Sequence, residues 1–339
     1  MECSQPSQPL SGDIFETKPL LVKLPPATFV ETLHSQAYFI VPARPNDGSV
    51  EFRLYYELHG HGPRRVVFIS GIIMNLAAWE YQVRYFATRP EYQILIFDAR
   101  GVGRSDTPPG FSTTKAMAHD TLALLDHLGW KADIHVVGFS LGGMVAQEMA
   151  IAGDLDRFAS FAFTSTTMRR CCFPITTSYQ FVRLALARSN SEKVQLSKGL
   201  VFPFFWLQQP CTDLGGNLRL VGRVHTNLDF IHESGRHLDA FTPINTFQEL
   251  LGHLSAPMRH WVSPNQLQPL RDHPRVRCLI LTGTDDRVIP CADSLLLATH
   301  LRAPTLVFPG SGHALALEQF SRFNAALDQH FNGGNVIAV

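Results

Sequence analysis

The sequence predicts an α/β fold: a mostly parallel central sheet flanked by helices, with an inserted helical cap. Three observations predict it. Short, almost continuous apolar runs recur along the chain, as strands buried on both faces require. Helix-length stretches separate those runs, the rhythm of a parallel sheet with crossover helices. That rhythm breaks once, from about residue 166 to 262, where helical stretches follow one another with few strand signals.

In chain order, residues 1–12 are rich in Ser, Gln and Pro, and residues 1–30 read as a disordered or extended leader. Two alternating segments follow, Ala37–Val41 and Glu51–Leu58, with Arg44-Pro45-Asn46-Asp47-Gly48 as the turn between them. The continuous runs are Val66–Ile69, Ile94–Phe97, His135–Val137, Phe158–Phe163, Cys278–Leu281 and Thr305–Phe308. Helical patterns lie at Ala77–Thr88, Thr113–Leu128, Gly142–Ile151, Ala292–Thr299 and Phe320–Phe331. The core is thus expected over 31–165 and 263–335. The insertion at 166–262 carries helical stretches at Thr177–Arg188, Glu192–Gly199, Leu218–His232 and Thr246–Leu254. Its aromatic cluster, Phe202, Phe204, Phe205 and Trp206, offers pocket candidates, Phe205 and Trp206 foremost.

Composition narrows the function. The chain has 339 residues, 45% hydrophobic, with 29 Lys plus Arg against 29 Asp plus Glu. A balanced charge argues against nucleic acid or an anionic membrane as partner and leaves a small-molecule substrate. No apolar run approaches the ~18 residues of a spanning helix. The start, MECSQPSQPLSGD, lacks the basic and apolar regions of a signal peptide. Cys3, Cys171, Cys172, Cys211, Cys278 and Cys291 form no C-x-x-C pair and read as thiols of a reducing compartment, so the expected location is cytoplasmic. No metal motif appears. Gly101-Val102-Gly103 lacks the third glycine of a dinucleotide loop, so no cofactor is expected.

The chemistry is concentrated in IHVVGFSLGGMVAQEMA, residues 134–150. A strand-like run ends in Gly138-Phe139-Ser140-Leu141-Gly142, and a helical pattern starts at once. The plainer reading makes Ser140 a helix cap. The sharper one makes it a nucleophile on a tight strand–helix turn, flanked by glycines that let neighbouring backbone approach. The Leu141 amide, at the helix N-terminus, would then stabilise a developing oxyanion. The sharper reading requires an acid and a histidine in loops after later strands. Asp285 and Asp286 follow Cys278–Leu281, and His313 follows Thr305–Phe308. A parallel sheet brings such loops to one edge. His313 would act as the base, and a carboxylate would hold its tautomer.

With these motifs the chain resembles the α/β-hydrolase superfamily from about Phe52 to the C-terminal helix. FDARGVGRSD (97–106) is similar to that family's loop after its fourth strand, GTDDRVIP (283–290) to its acid loop, and GSGH (310–313) to its histidine loop. The resemblance selects Asp286 as the acid, three residues beyond Gly283, with Asp285 the alternative. Many members carry His-Gly after the third strand; here Ser70-Gly71 stands in its place. By position the second oxyanion donor is the Ile72 amide. Ile72-Ile73-Met74 and Phe139 would line an apolar pocket. Asp98, Arg100 and Gly103 read as loop-holding residues.

The resemblance implies a serine esterase, lipase or lactonase forming an acyl-enzyme on Ser140, with carbon–carbon bond hydrolases sharing the same triad. Ser140 argues against epoxide hydrolases and haloalkane dehalogenases, which place an aspartate at the elbow. A function of another class, a ligand receptor or scaffold on the same fold with little turnover, stays open at this point. Oligomeric state is open as well.

Overall fold

A computed structural model describes residues 29–44, 50–171, 175–212, 224–239 and 247–334. The expected leader over 1–30 lies almost wholly outside the described residues, as does the turn at 45–48.

Eight strands form one sheet: β1 (Leu33–Val41), β2 (Phe52–His59), β3 (Arg64–Ile69), β4 (Tyr92–Phe97), β5 (Ile134–Phe139), β6 (Phe158–Thr164), β7 (Arg277–Gly283) and β8 (Thr305–Phe308). Their order is β1-β2-β4-β3-β5-β6-β7-β8. β1 and β2 pair antiparallel, and β2 pairs antiparallel with β4. From β4 to β8 all pairing is parallel. Every continuous apolar run became a strand in the parallel part.

Alternate residues of these strands feed two cores. Val67 and Ile69 of β3, Leu95 and Phe97 of β4, and Ile134 and Val136 of β5 pack on one face. Helices α2 (Thr114–His127) and α3 (Leu141–Ala152) cover that face through Leu124, Leu125, Val145 and Met149. Val66, Phe68, Ile94, Ile96, Val137 and Phe139 point the other way, against α1 (Glu80–Ala87) and α12 (Phe320–Phe331). Burial on both sides removes any need for polar alternation, which is why these strands read as uninterrupted apolar runs.

Between β6 and β7 the chain makes helices α4 (Ile175–Ala185), α5 (Asn190–Val201), α6 (Phe204–Gln208), α7 (Asn227–Asp239), α8 (Phe247–Arg259) and α9 (Pro264–Arg271). Of the expected helix at Leu218–His232, residues 218–223 lie outside the described residues, and the described helix α7 begins at Asn227 and runs on to Asp239. Gly235 of α7 lets that helix press close to α5. A Cβ there would lie 3.0 Å from the Val194 side chain. Helices α10 (Cys291–Leu301) and α11 (Leu315–Glu318) complete the chain between and after β7 and β8.

Candidate active site

The junction of β5 and α3 bends at Ser140, whose backbone takes φ 54° and ψ −116°. A non-glycine residue in such a region costs about 1–3 kcal/mol and persists only where its surroundings hold it. Here they do. The Ser140 amide donates to the Thr164 carbonyl at 2.9 Å, and its own carbonyl accepts from Gly143 N–H at 3.0 Å and the Thr166 hydroxyl at 2.7 Å. The flanking glycines are required by space. A Cβ on Gly138 would lie 2.4 Å from the Gly142 carbonyl oxygen, and one on Gly142 would lie 2.1 Å from that of Ile69. The serine is thereby lifted off the sheet end, at the start of a helix.

Two further loops reach the same edge. His313 and Asp286 are both buried, and His313 Nδ1 stands 2.8 Å from Asp286 Oδ2. The other carboxylate oxygen, Oδ1, accepts the Val288 and Ile289 amides at 2.8 and 2.9 Å. Because a carboxylate can only accept, Nδ1 carries the proton and Nε2 is left with its lone pair. Asp285 is exposed instead and accepts from the Thr284 hydroxyl at 2.9 Å. The acid and histidine loops are stitched together: Asp285 N–H donates to the Ser311 carbonyl at 2.9 Å, and Gly310 N–H to the Thr284 hydroxyl at 2.8 Å.

A third group, Glu318, supports the histidine loop and has no counterpart in the sequence reading. Its Oε2 accepts the Gly312 amide at 2.8 Å. Burial pushes this carboxyl up to about 8, and the nearby Asp286 and Asp285 add to the rise. A lone glutamate in the apolar stretch around Leu315 and Leu317 was the only available signal.

After β3 the chain turns through Ser70–Asn75. The Ser70 hydroxyl donates to the Asn75 carbonyl at 3.3 Å, and Met74 N–H to the Gly71 carbonyl at 3.3 Å. Ile73 takes φ 53°, a strained value for a β-branched side chain. Beyond the turn, the Leu76 amide donates to Asp98 at 2.7 Å. Asp98 also accepts the Arg104 amide at 2.8 Å, and a Cβ on Gly103 would fall 2.4 Å from its carboxylate. Burial pushes Asp98 up to about 6. Arg100 makes a two-pronged pair with Asp120, both bonds at 2.6 Å. These three residues hold loops.

A cavity of about 240 Å³ opens onto the sheet edge. Ser140, His313, Phe139, Ile72, Ile73 and Met74 all line it. Its roof comes from Phe181 and Leu184 of α4, Val194, Leu200 and Val201 of α5, and Ile231 of α7. Phe202, from the aromatic cluster, lines it too. The roof residues carry no signal of their own in the sequence, because an apolar helix face looks the same over a cavity as over a core.

Phe205 and Trp206, expected at the pocket, do not line the cavity. The short helix α6 turns Phe205 outward, 48% exposed, with its ring against Gly310. Trp206 is buried but points into a separate cluster, its ring stacked on Phe202 at 5.3 Å and 13°. Of that aromatic group Phe202 is the one at the cavity.

Among the described residues no cluster of three or more His, Cys, Asp or Glu could hold a metal ion, and no helix is long and apolar enough to cross a membrane.

The alpha/beta hydrolase family model matches residues 66–326. A protein named as a carbamate hydrolase, RutD, of Caulobacter vibrioides is 29% identical over 294 residues, covering 83% of this chain and 96% of that protein. Its namesake from Azorhizobium caulinodans is 29% identical over 46% of this chain, and the match spans only 57% of that protein's length. Among solved structures, a thermophilic esterase of Thermogutta terrifontis superposes with a TM-score of 0.64 at 22% identity, covering 88% of this chain and 98% of the esterase. At that identity the likeness speaks for the fold.

Proposed function

The chain belongs to the alpha/beta hydrolase family and is a hydrolase; from that premise we propose that it cleaves an ester, lactone or related acyl bond of a small, apolar substrate through an acyl-enzyme on Ser140. One observation carries this reading: His313, its Nδ1 2.8 Å from the buried Asp286, lines the same cavity as a serine held on a strained turn.

In this reading His313 Nε2 takes the Ser140 proton as Oγ attacks the substrate carbonyl. Asp286 fixes the ring and stabilises the imidazolium that forms. The oxyanion is met by the amides of Leu141 and Ile72. Leu141 opens α3, so its amide has no acceptor within the helix. His313 then gives its proton to the leaving group, and water releases the acyl group by the same path. Helices α4, α5 and α7 act as a cap whose apolar faces favour an uncharged acyl chain. The relative named for carbamate hydrolysis is in keeping with acyl chemistry of this kind.

A series of p-nitrophenyl esters of increasing acyl length tests the substrate side. The wild type is expected to hydrolyse them with an optimum set by the cavity, and Leu200→Trp to move that optimum to shorter chains. An unchanged profile in Leu200→Trp, or no hydrolysis of any ester, would contradict the reading.

A further inference from the structure

The turn that carries Ile72 is gripped from outside by a histidine of α8. His253 is 1% exposed and sits between two loops of the core. Its Nε2 lies 2.7 Å from the Arg100 carbonyl oxygen, and its Nδ1 lies 3.4 Å from the Ile73 amide. The partners dictate the tautomer. A carbonyl only accepts, so Nε2 carries the proton; an amide N–H only donates, so Nδ1 presents its lone pair. Burial pushes the imidazole down to about 4, which keeps it neutral and able to do both at once. The bond it accepts comes from Ile73, the residue whose φ of 53° is strained and whose neighbour is Ile72. Helix α8 is itself anchored: Ser255 donates to the Ser112 carbonyl at 2.9 Å, and Ser112 N–H to the Gly252 carbonyl at 3.4 Å.

We propose that His253 is a positioning residue for the oxyanion site: by accepting the Ile73 N–H it holds the 71–74 turn in the strained form that presents the Ile72 amide to the cavity. This rests on the serine-hydrolase reading above. The short bond to the Arg100 carbonyl aims the ring so that Nδ1 faces the Ile73 amide.

Two substitutions separate these functions. His253→Asn keeps an acceptor near the Nδ1 position and loses the donor to Arg100. His253→Gln keeps a donor near Nε2 and loses the acceptor for Ile73. The readouts are kcat and KM on a p-nitrophenyl ester, the inhibition constant of an alkyl boronic acid that binds serine as a tetrahedral adduct, and amide exchange of the 69–76 segment. The expected result is that Gln lowers kcat and boronate affinity together by about tenfold or more, short of the ~10²–10³ of losing an oxyanion donor outright. Its KM stays near the wild-type value, and exchange in 69–76 quickens. Asn stays close to wild type in all three. Equal losses in the two variants, a loss confined to Asn, or no loss in either would overturn the proposal. Amide exchange is independent of activity. A Gln variant with wild-type exchange therefore sinks the positioning role itself, whereas a wild type inert to boronate and fluorophosphonate sinks the serine-hydrolase reading beneath it.

Discussion

Asp286 and its neighbour Asp285 share a loop but not an environment: Asp286 is buried with its carboxylate 2.8 Å from His313 Nδ1, while Asp285 is exposed and turned to Thr284. The two amides at 2.8 and 2.9 Å that fill Asp286 Oδ1 leave Oδ2 aimed at the ring. Asp286→Asn replaces an obligatory acceptor by a group that can donate, which releases the tautomer. A loss in kcat of about 10⁴-fold is expected, as for other triads treated this way. Asp285→Asn is expected to stay near wild type. Steady-state ester hydrolysis decides, and equal losses would contradict the assignment.

The elbow glycines give a second prediction, on stability. A Cβ on Gly142 would meet the Ile69 carbonyl oxygen at 2.1 Å, and neither backbone can yield without moving β3 or α3. Gly142→Ala is expected to destabilise by about 1–3 kcal/mol or more, as overpacking does. Gly199, in α5, has no heavy atom within 4 Å of its added Cβ. Gly199→Ala is expected to stabilise by up to ~1 kcal/mol through helix propensity. Urea unfolding of both variants measures the contrast, and Gly142→Ala with wild-type stability would refute it.

Glu318 makes stability depend on pH. Its carboxyl is pushed from an ordinary 4.5 up to about 8. Between those values the folded chain holds a proton that the unfolded chain has released, so stability falls as pH rises through the window. Asp98, raised to about 6, acts in the same direction at lower pH. Over pH 6 to 8 four buried histidines work the other way. His135, pushed down to about 3, and His253, His260 and His330, pushed down to about 4, stay neutral in the fold while the unfolded chain still binds their protons. Glu318 is therefore read only as the difference between wild type and Glu318→Gln. Denaturant unfolding at the two ends should show Glu318→Gln gaining stability relative to the wild type as pH rises from 6 to 8. An identical pH dependence in both proteins would show that the buried carboxyl does not contribute.

Much of the fold was legible because its physics is local. Strands β3 to β7 are buried on both faces along most of their length, so each had to be an apolar run, and the helices between them had to show an apolar face. Ser140, Asp286 and His313 were legible for a related reason: each lies where a parallel strand ends, in a turn that needs glycine. What the sequence hid is what depends on long-range packing. His253 looks like any of fifteen histidines until α8 brings it to Arg100 and Ile73. Phe205 and Trp206 look like pocket aromatics, yet α6 sends one outward and the other into a cluster with Phe202. Phe181, Leu184 and Ile231 became cavity residues only through the way α4, α5 and α7 pack.

The central claim, that Ser140 is a nucleophile activated by His313, is tested most directly by labelling with a fluorophosphonate and locating the adduct by mass spectrometry. The expected result is a single adduct on the peptide containing Ser140 in the wild type, and none in a folded Ser140→Ala variant, which also loses ester hydrolysis. An unlabelled wild type, an adduct on another residue, or an active Ser140→Ala variant would contradict it.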